Sequence, residues 1–168
     1  QVELMRERSI LRMTTERLGQ ALDTSPVILY TLRLEPENAI PVWVSSNIER
    51  LLGYTEAQAL QAGWWASHLH PDDREAALAR MGELPGAGQT IHDYRFFDSR
   101  GRVRWIHDEM RVSHRGEVIG AWRDITETKV AEQVRETRIA MLDGLVSDRP
   151  LSLILEEIAS RLEGIHPE

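Results

Sequence analysis

Cysteine is absent from all 168 residues of the chain. Its absence excludes disulfides, thiolate nucleophiles, zinc–sulfur sites and photochemistry through a cysteine adduct. It also fits a reducing compartment, and we expect a cytoplasmic protein. The chain lacks any apolar run of the roughly 20 residues that a membrane span needs. No part of this segment is therefore predicted to lie in a membrane.

Clustered positive charge is also lacking. The 20 Lys and Arg residues are outnumbered by 27 Asp and Glu residues, which gives a net charge of −7. A protein that binds duplex nucleic acid neutralises several phosphates with clustered Lys and Arg side chains. We therefore expect no nucleic-acid partner.

Catalytic motifs are missing as well. The sequence has no Gly-Xaa-Ser-Xaa-Gly, no glycine-rich phosphate loop and no paired-histidine zinc helix. His68 and His70 precede Asp72 and Asp73, which superficially suggests metal ligands. However, Pro71 followed by two carboxylates is the pattern of a helix start. We predict no catalytic residue, no bound metal and no enzymatic activity in this segment.

The residues that are present suit one globular domain with appendages, since 42% are hydrophobic and 28% are charged. Ser25-Pro26 ends a helical pattern over residues 1–24, and strands and short helices then alternate over residues 25–126. A helix pattern returns over residues 127–147. Residues 148–168 begin a following domain or continue the linker.

Five segments of the central region are rich in β-branched and aromatic residues, which predicts strands. They are Val27–Glu35, Pro41–Ser46, Thr90–Phe97, Val103–His114 and Glu117–Ile125. The turn residues between them predict one hairpin, followed later by a three-stranded meander.

Helices are predicted between the second and third strands. Ile48–Leu52 begins after the capping residues Ser46-Asn47 and ends at Gly53, Glu56–Leu60 follows, and Pro71–Leu84 is longer. Pro85–Gly88 is predicted to be a loop. Two strands, then helices, then three strands predict an α+β fold, an antiparallel sheet with its helices on one face.

Both helical arms carry apolar residues at coiled-coil spacing. The N-terminal set is Leu4, Leu11, Leu18 and Leu22, and the C-terminal set is Val130, Val134 and Met141. The N-terminal helix either packs on its own domain or forms a dimeric coiled coil. We predict a homodimer held by both arms.

Four segments, in order, resemble the PAS domain family. Ser46–Tyr54 is similar to the first helical turn of that family, and Leu69–Arg74 is similar to the start of its long helix. Tyr94–Ile106 resembles a strand pair, and Glu117–Glu127 resembles the last strand, which enters the outgoing helix through Asp-Ile-Thr. The resemblance covers about residues 25–127.

The resemblance implies a PAS-like five-stranded antiparallel sheet whose short helices enclose a small pocket. It makes Asp124, Thr126 and Trp105 candidates for signal relay. Side-chain oxygens at the joint can cap the new helix, and the carboxylate can also pair with an arginine or amide on the neighbouring strand. The candidate pocket-lining residues are Tyr94, Phe96, Ile106, Met110 and Trp64.

Five tryptophans allow two interpretations, an aromatic pocket or an ordinary core. They are Trp43, Trp64, Trp65, Trp105 and Trp122.

Haem-binding relatives place an axial histidine on the long helix. Asp72–Leu84 has none, while His92, His107 and His114 fall on strands. We expect neither haem nor flavin, and the small molecule that the pocket would hold stays open.

Leu151–Ala159 resembles the opening helix of a GAF domain. The two resemblances together imply a multi-sensor protein, such as a histidine kinase or a cyclic-di-GMP synthase or phosphodiesterase, with its output domain in the same chain. We predict a sensory and dimerisation module that relays a pocket event through Asp124-Ile125-Thr126 to the C-terminal helix. The alternative is a constitutive dimerisation scaffold with the same fold and no ligand.

Overall fold

A computed structural model describes residues 13, 16–35, 38–146, 152–153, 155–156 and 159–160 of the chain. The strands are β1 (Val27–Leu34), β2 (Ala39–Val44), β3 (Gln89–Phe97), β4 (Val103–Val112) and β5 (Glu117–Asp124). The helices are α1 (residues 16–24), α2 (Ile48–Leu52), α3 (Glu56–Ala59), α4 (Trp64–His68), α5 (Pro71–Ala87) and α6 (Thr126–Val146).

The five strands form one antiparallel sheet in the order β2-β1-β5-β4-β3. Alternate residues of β5 are buried, as expected for a strand with one face against a core. This arrangement confirms the predicted α+β fold with a five-stranded antiparallel sheet. The predicted strand bounds are correct to within two residues.

The core consists of the inner side chains of the sheet together with residues from α2 to α5. Ile48, Leu69, Leu84, Tyr94 and Phe96 are each at most 1% exposed. Burying a large apolar side chain contributes about 1.5–3 kcal/mol, so this cluster anchors the helices to the sheet.

Two local predictions are wrong. Pro85–Gly88 is not a loop, because α5 continues through Pro85 and ends at Gly88, which adopts φ 75°. A proline in the last turn loses one backbone hydrogen bond, and here the buried Leu84 beside it holds the helix in place. Asn47 precedes α2 but does not cap it with its side chain. Its amide instead donates to the carbonyl oxygens of Ser25 and Val27 and ties α2 to the start of β1.

The chain divides into two compact units, residues 1–124 and 125–168. The first unit contains the sheet and α1 to α5. The second opens with α6, and residues 152–153, 155–156 and 159–160 in it are also helical. Within the described part of the chain, no helix has the length and apolar character needed to cross a membrane.

Candidate functional site

A cavity of about 410 Å³ lies in the first unit, between the sheet and the short helices. Its wall is strongly aromatic, and the rings that line it are Tyr30, Trp43, Trp64, Trp65 and Trp122. Aliphatic side chains from β1, β2 and α5 complete most of the surface, and Glu35, Asn38, Gln61 and Asp108 are its polar members. A mostly apolar cavity with few polar groups is the usual form of a small-molecule site.

Asp108, on β4, is a buried carboxylate on the cavity wall. The Tyr30 hydroxyl donates to its Oδ1 atom over 2.7 Å, and the Tyr94 hydroxyl donates to Oδ2 over 2.9 Å. The Trp65 indole N–H in turn donates to the Tyr94 hydroxyl over 3.0 Å. An unpaired buried charge would be strongly destabilising, and these donors supply its compensation.

Both tyrosines of this network are held in their neutral, donating form. Burial, and then the negative charge of Asp108, raise the pKa of Tyr30 and the pKa of Tyr94 well above their ordinary values. The nearest histidine is His92, whose Nε2 atom lies 3.6 Å from Asp108 Oδ2, which is beyond hydrogen-bonding distance. The network therefore joins β1, β3 and β4 through hydroxyl groups.

Gly120 makes the reach of Tyr30 possible. It lies opposite Tyr30 in the β1–β5 ladder and opposite Met110 in the β4–β5 ladder. A Cβ atom at Gly120 would lie 2.0 Å from Tyr30 Cζ and 2.3 Å from its hydroxyl oxygen. The missing side chain lets the Tyr30 ring cross β5 to Asp108 on the next strand.

Two donors at the cavity have no partner among the described residues. The indole N–H groups of Trp64 and Trp122 are buried and make no hydrogen bond. The two rings are stacked with centroids 6.3 Å apart, and the side chains are 7% and 6% exposed. The Trp122 N–H favours the ionised form of Tyr30 but does not reach hydrogen-bonding geometry with its hydroxyl.

The candidate pocket-lining residues fall into two groups. Trp64 lines the cavity. Tyr94, Phe96, Ile106 and Met110 are buried in the core and are not part of the described cavity wall. Tyr94 is nevertheless one hydrogen bond from the wall, through Asp108.

At the end of β5, the candidate relay residue Asp124 is paired with an arginine of the neighbouring strand. Arg104 Nη1 lies 3.3 Å from Asp124 Oδ2, and Arg104 Nε lies 3.1 Å from Asp98 Oδ2. Asp98 also accepts from the backbone N–H groups of Arg100 and Arg102. Burial alone would raise the pKa of Asp98, but these hydrogen bonds outweigh burial and lower it.

Asp124 shares its face of β5 with a residue of the cavity wall. Trp122 precedes it by two positions, so both side chains point to the same side of the sheet. Asp124 is the last residue of β5, and Thr126, the second candidate relay residue, opens α6. Cavity wall, salt bridge and outgoing helix therefore follow one another within five residues.

The third candidate relay residue, Trp105, lies in β4 opposite Arg95 of β3. The Arg95 guanidinium is 5.6 Å from the centre of the Trp105 ring, a cation–π distance. Arg95 also pairs with Asp73 and Asp72 in the first turn of α5, at 2.7 and 3.2 Å. The two adjacent carboxylates thus meet one guanidinium, which attaches α5 to the sheet.

The described residues of the predicted dimer seams are accessible in the single chain. Leu18 is 60% exposed, Leu22 is half-buried, and Val130, Val134 and Met141 are all exposed. Leu4 and Leu11 lie outside the described residues, as do four of the nine positions of the GAF-like segment. The seams are therefore available to a partner, and the predicted dimer stays a prediction.

The histidines and carboxylates that suggested a metal or haem can be located among the described residues. No group of three or more His, Asp or Glu residues among them is placed to hold a metal ion. His68 Nδ1 instead contacts the Trp64 carbonyl oxygen over 2.7 Å, with its ring packed among Tyr54, Trp64 and Phe96. α5 contains no histidine.

Several site residues were missed by the sequence analysis, namely Tyr30, Asp108, Gly120 and the unpaired state of Trp122. One signal was present, because Asp108 shares the inner face of β4 with Ile106 and Met110. A carboxylate on a buried face needs donors, but the sequence did not show that they come from β1 and β3.

Comparisons with known proteins agree with this geometry. A family described as the PAS fold matches residues 41–140. The two-component sensor PprA of Pseudomonas aeruginosa is 35% identical over 123 residues, which cover 70% of this chain. The chain spans 13% of the length of that relative.

Two solved structures share the fold. The N-terminal domain of a diguanylate cyclase with a PAS/PAC sensor from Marinobacter aquaeolei is 25% identical with a TM-score of 0.52, covering 59% of this chain and 94% of that one. A sensory box histidine kinase/response regulator from Burkholderia thailandensis is 20% identical with a TM-score of 0.57, covering 76% and 98%. The family match spans more than half of the sequence, and this chain belongs to the PAS fold family.

Proposed function

We propose that this chain is the sensory and dimerisation module of a multidomain signalling protein, in which occupancy of the cavity is relayed through Asp124 to α6. The observation that carries the proposal is the order along β5. Trp122 lines the cavity, Asp124 is held by Arg104, and α6 begins at Thr126. The names of two relatives, a two-component sensor and a diguanylate cyclase with a PAS/PAC sensor, support a signalling role.

The relay would work through a change at the end of β5. A molecule in the cavity contacts the Trp122 ring, and any shift of that ring moves the strand that carries Asp124. Asp124 then keeps or loses its pairing with Arg104, which is only partly exposed to solvent. The desolvation cost of a largely buried ion pair offsets much of its Coulombic gain, so the paired and unpaired states are close in energy, as a switch requires.

The dimer forms through the arms in this proposal. Val130, Val134 and Met141 are exposed apolar residues spaced four and seven positions apart, the spacing of a two-stranded seam. Because the two α6 helices would pack against each other along this seam, a change in one helix would also move the helix of the partner chain. The output domain in the same parent chain, whether a kinase or a cyclic-di-GMP enzyme, receives the signal, and this segment itself performs no catalysis.

Cavity filling by mutation tests the relay without a known ligand. Ala66 lines the cavity, so Ala66→Leu occupies part of its volume, whereas Ala76→Leu adds the same atoms to the exposed face of α5. We expect Ala66→Leu, but not Ala76→Leu, to change amide hydrogen exchange in residues 126–142. In the double variant that combines Ala66→Leu with Asp124→Ala, that change in exchange should be abolished.

The constitutive scaffold makes the opposite prediction. If Ala66→Leu leaves exchange in α6 unchanged while the protein stays folded, the cavity is not coupled to the helix. A different outcome is that Ala66→Leu changes exchange in α6 and Asp124→Ala leaves that change intact. The cavity would then be coupled to the helix, but Asp124 would be structural and the relay would run elsewhere.

A further inference from the structure

The accessible surface of the cavity wall is mostly apolar. Its partly exposed members include four aliphatic side chains and two aromatic rings, which are Leu32, Leu60, Leu78, Met81, Trp43 and Trp65. A molecule that removes such surface from water gains affinity in proportion to the apolar area that it covers. The wall therefore favours an apolar molecule.

The polar side chains of the interior are not available to a ligand. Asp108 is fully buried, and each of its oxygens already accepts a tyrosine hydroxyl group. The Trp65 indole N–H donates to the Tyr94 hydroxyl. The indole N–H groups of Trp64 and Trp122 are buried and therefore out of reach. A polar group that a ligand carried into the described interior would lose its hydrogen bonds to water and find no free side-chain partner, which is unfavourable.

The other polar side chains of the wall are exposed to solvent. Among the described lining residues they are Glu35, Asn38 and Gln61. Because these groups are already hydrated, a hydrogen bond from one of them to a ligand replaces a hydrogen bond to water and adds little affinity. Hydrogen bonding is therefore not what selects the ligand.

The charge of the wall disfavours an anionic ligand. Glu35 and Asp108 are the charged residues of the described wall, and no Lys, Arg or His lines it. A carboxylate or phosphate group would therefore lie near two carboxylates without a cation. Burying an unpaired charge in this way is strongly unfavourable.

A cationic ligand is disfavoured by the loss of its hydration. Aromatic rings attract cations, and the negative charge of Asp108 would add to that attraction. However, Asp108 is 0% exposed, so a cation could not bond to its oxygens in exchange for the water that it gives up. The cost of taking an ion out of water exceeds the gain from aromatic ring faces alone.

We propose that the cavity binds an uncharged, hydrocarbon-like ring compound, which is held by contact with the wall and not by hydrogen bonds. This inference rests on the proposed function and names the ligand class of that site. A flat ring can meet the Trp43 and Trp65 rings in the offset or edge-on arrangements that aromatic pairs prefer. An apolar cavity of about 150 Å³ holds benzene, so a volume of about 410 Å³ has room for at least two rings.

A set of matched probes tests the class directly. All four carry the same two rings: 2-methylnaphthalene is a hydrocarbon, naphthalene-2-carboxamide adds a neutral polar group, 2-naphthoate is anionic and 2-naphthylmethylammonium is cationic. Binding to the full chain is followed by the amide and indole N–H signals of ¹⁵N-labelled protein. We expect 2-methylnaphthalene to bind at least tenfold more tightly than either charged probe and at least fivefold more tightly than the carboxamide.

Two pairs of variants distinguish binding in the cavity from adsorption to the surface. Ala66→Leu and Gly82→Leu each add a side chain to the wall, and each should weaken 2-methylnaphthalene binding at least tenfold. Their controls are Ala76→Leu and Gly86→Leu, which add the same atoms to exposed positions of α5 that do not line the cavity. Neither control should change the affinity by more than about twofold. The amide spectrum of each variant shows whether it keeps the native fold.

Four results would overturn the proposal: tighter binding of a charged probe than of the hydrocarbon, equal binding of the carboxamide, no detectable binding of the hydrocarbon, or hydrocarbon binding that folded Ala66→Leu and Gly82→Leu variants leave unchanged. None of them decides the relay, since the exchange experiment with Ala66→Leu uses no ligand. Conversely, selective hydrocarbon binding in a protein whose α6 exchange does not respond to Ala66→Leu would uphold the ligand class and reject the relay.

Discussion

At the scale of single residues, Asp108 organises the interior of the domain. Its oxygens collect hydroxyl groups from Tyr30 and Tyr94, and Tyr30 is 78 positions away in the chain. The sequence places Asp108 on the inner face of β4, but a local pattern cannot show which distant side chains meet it. For the same reason, the sequence pointed to an aromatic cavity wall only through its five tryptophans.

Alkaline pH should act on this network. Burial raises the pKa of Tyr30, Tyr94 and, to a lesser extent, Tyr54, and these are the three tyrosines of the chain. When folding raises the pKa of a tyrosine, the resulting stabilisation is fully present at pH values below the unfolded-state pKa of about 10. It is lost as the pH rises through the folded-state pKa. We expect Tyr30 and Tyr94 to give no tyrosinate absorbance at 295 nm near pH 10 while the protein is folded, so that at most Tyr54 contributes.

That titration has a simple internal comparison. In 6 M guanidinium chloride, all three tyrosines should titrate near pH 10, because the unfolded chain neither buries them nor places them beside Asp108. Two of the three ionising near pH 10 in the folded protein would contradict the buried network.

Gly120 is the second residue-scale prediction. Gly120→Ala forces its Cβ atom against the Tyr30 ring and displaces the hydroxyl from Asp108, so we expect a loss of about 2–4 kcal/mol of unfolding free energy. Gly86→Ala is the control, since a Cβ atom there meets nothing within 4 Å inside α5. It should leave stability unchanged or raise it by up to about 1 kcal/mol. If chemical denaturation gave the two variants equal unfolding free energies, Gly120 would not be needed for the close approach of the Tyr30 ring.

At the scale of elements, residue patterns predicted most of the fold. Burial alternates along much of β1, β3, β4 and β5, although not along β2, and Gly, Pro, Asn, Asp and Ser mark the turns. The three failures have separate physical causes. α4 (Trp64–His68) was missed because a single helical turn has too little periodicity to detect and its N-cap residue, Gly63, has no capping side chain. Pro85 is expected to follow the end of the helix, but α5 continues through it to Ala87, with Leu84 buried beside it. The Asn47 side chain donates to Val27 of β1 and does not cap α2.

The hairpin between β3 and β4 depends on Asp98. The pKa of Asp98 is lowered by folding, so its ionised form stabilises the fold at pH values above about 3.8, the pKa of the unfolded-state carboxyl group. This stabilisation is lost as the pH falls through the lower folded-state pKa. Asp98→Asn removes the charge, and we expect a loss of about 1–3 kcal/mol at pH 7 that shrinks at pH 3. Urea denaturation at both pH values measures it.

The control for that experiment is Glu75→Gln, which neutralises an exposed carboxyl group on α5. It should change stability by less than about 0.5 kcal/mol at pH 7. If Asp98→Asn cost as much at pH 3 as at pH 7, the effect would be one of side-chain shape, and the charge of Asp98 would not stabilise the hairpin.

At the scale of the whole molecule, the fold followed from four short segments in the right order, whereas the cavity did not. Cavity volume depends on how Trp43, Trp64 and Trp122 pack, and packing is set jointly by β1, β2, β5 and the short helices. Composition could exclude cysteine chemistry and clustered basic surfaces, but it could not show that two indole donors are left unpaired.

The predicted dimer is a property of the whole molecule. Val130→Asp combined with Val134→Asp places two charges on the exposed seam of α6, and we expect the dimer to weaken by at least tenfold. Arg135→Asp with Glu132→Lys is the control, because both side chains are exposed and outside the seam. Light scattering across a concentration series measures the change, and an equally tight dimer in both variants would place the interface elsewhere.

The relay from cavity to helix can be measured in the dimer itself. The chain contains no cysteine, so a single Glu136→Cys gives one spin label on the exposed surface of each α6 helix. Pulsed electron–electron double resonance then reports the distance between the two labels. We predict that Ala66→Leu shifts that distance and that Ala76→Leu does not. In the double variant, Asp124→Ala should abolish the shift caused by Ala66→Leu. Identical distance distributions in all of these variants would contradict the proposed sensor and leave a constitutive scaffold.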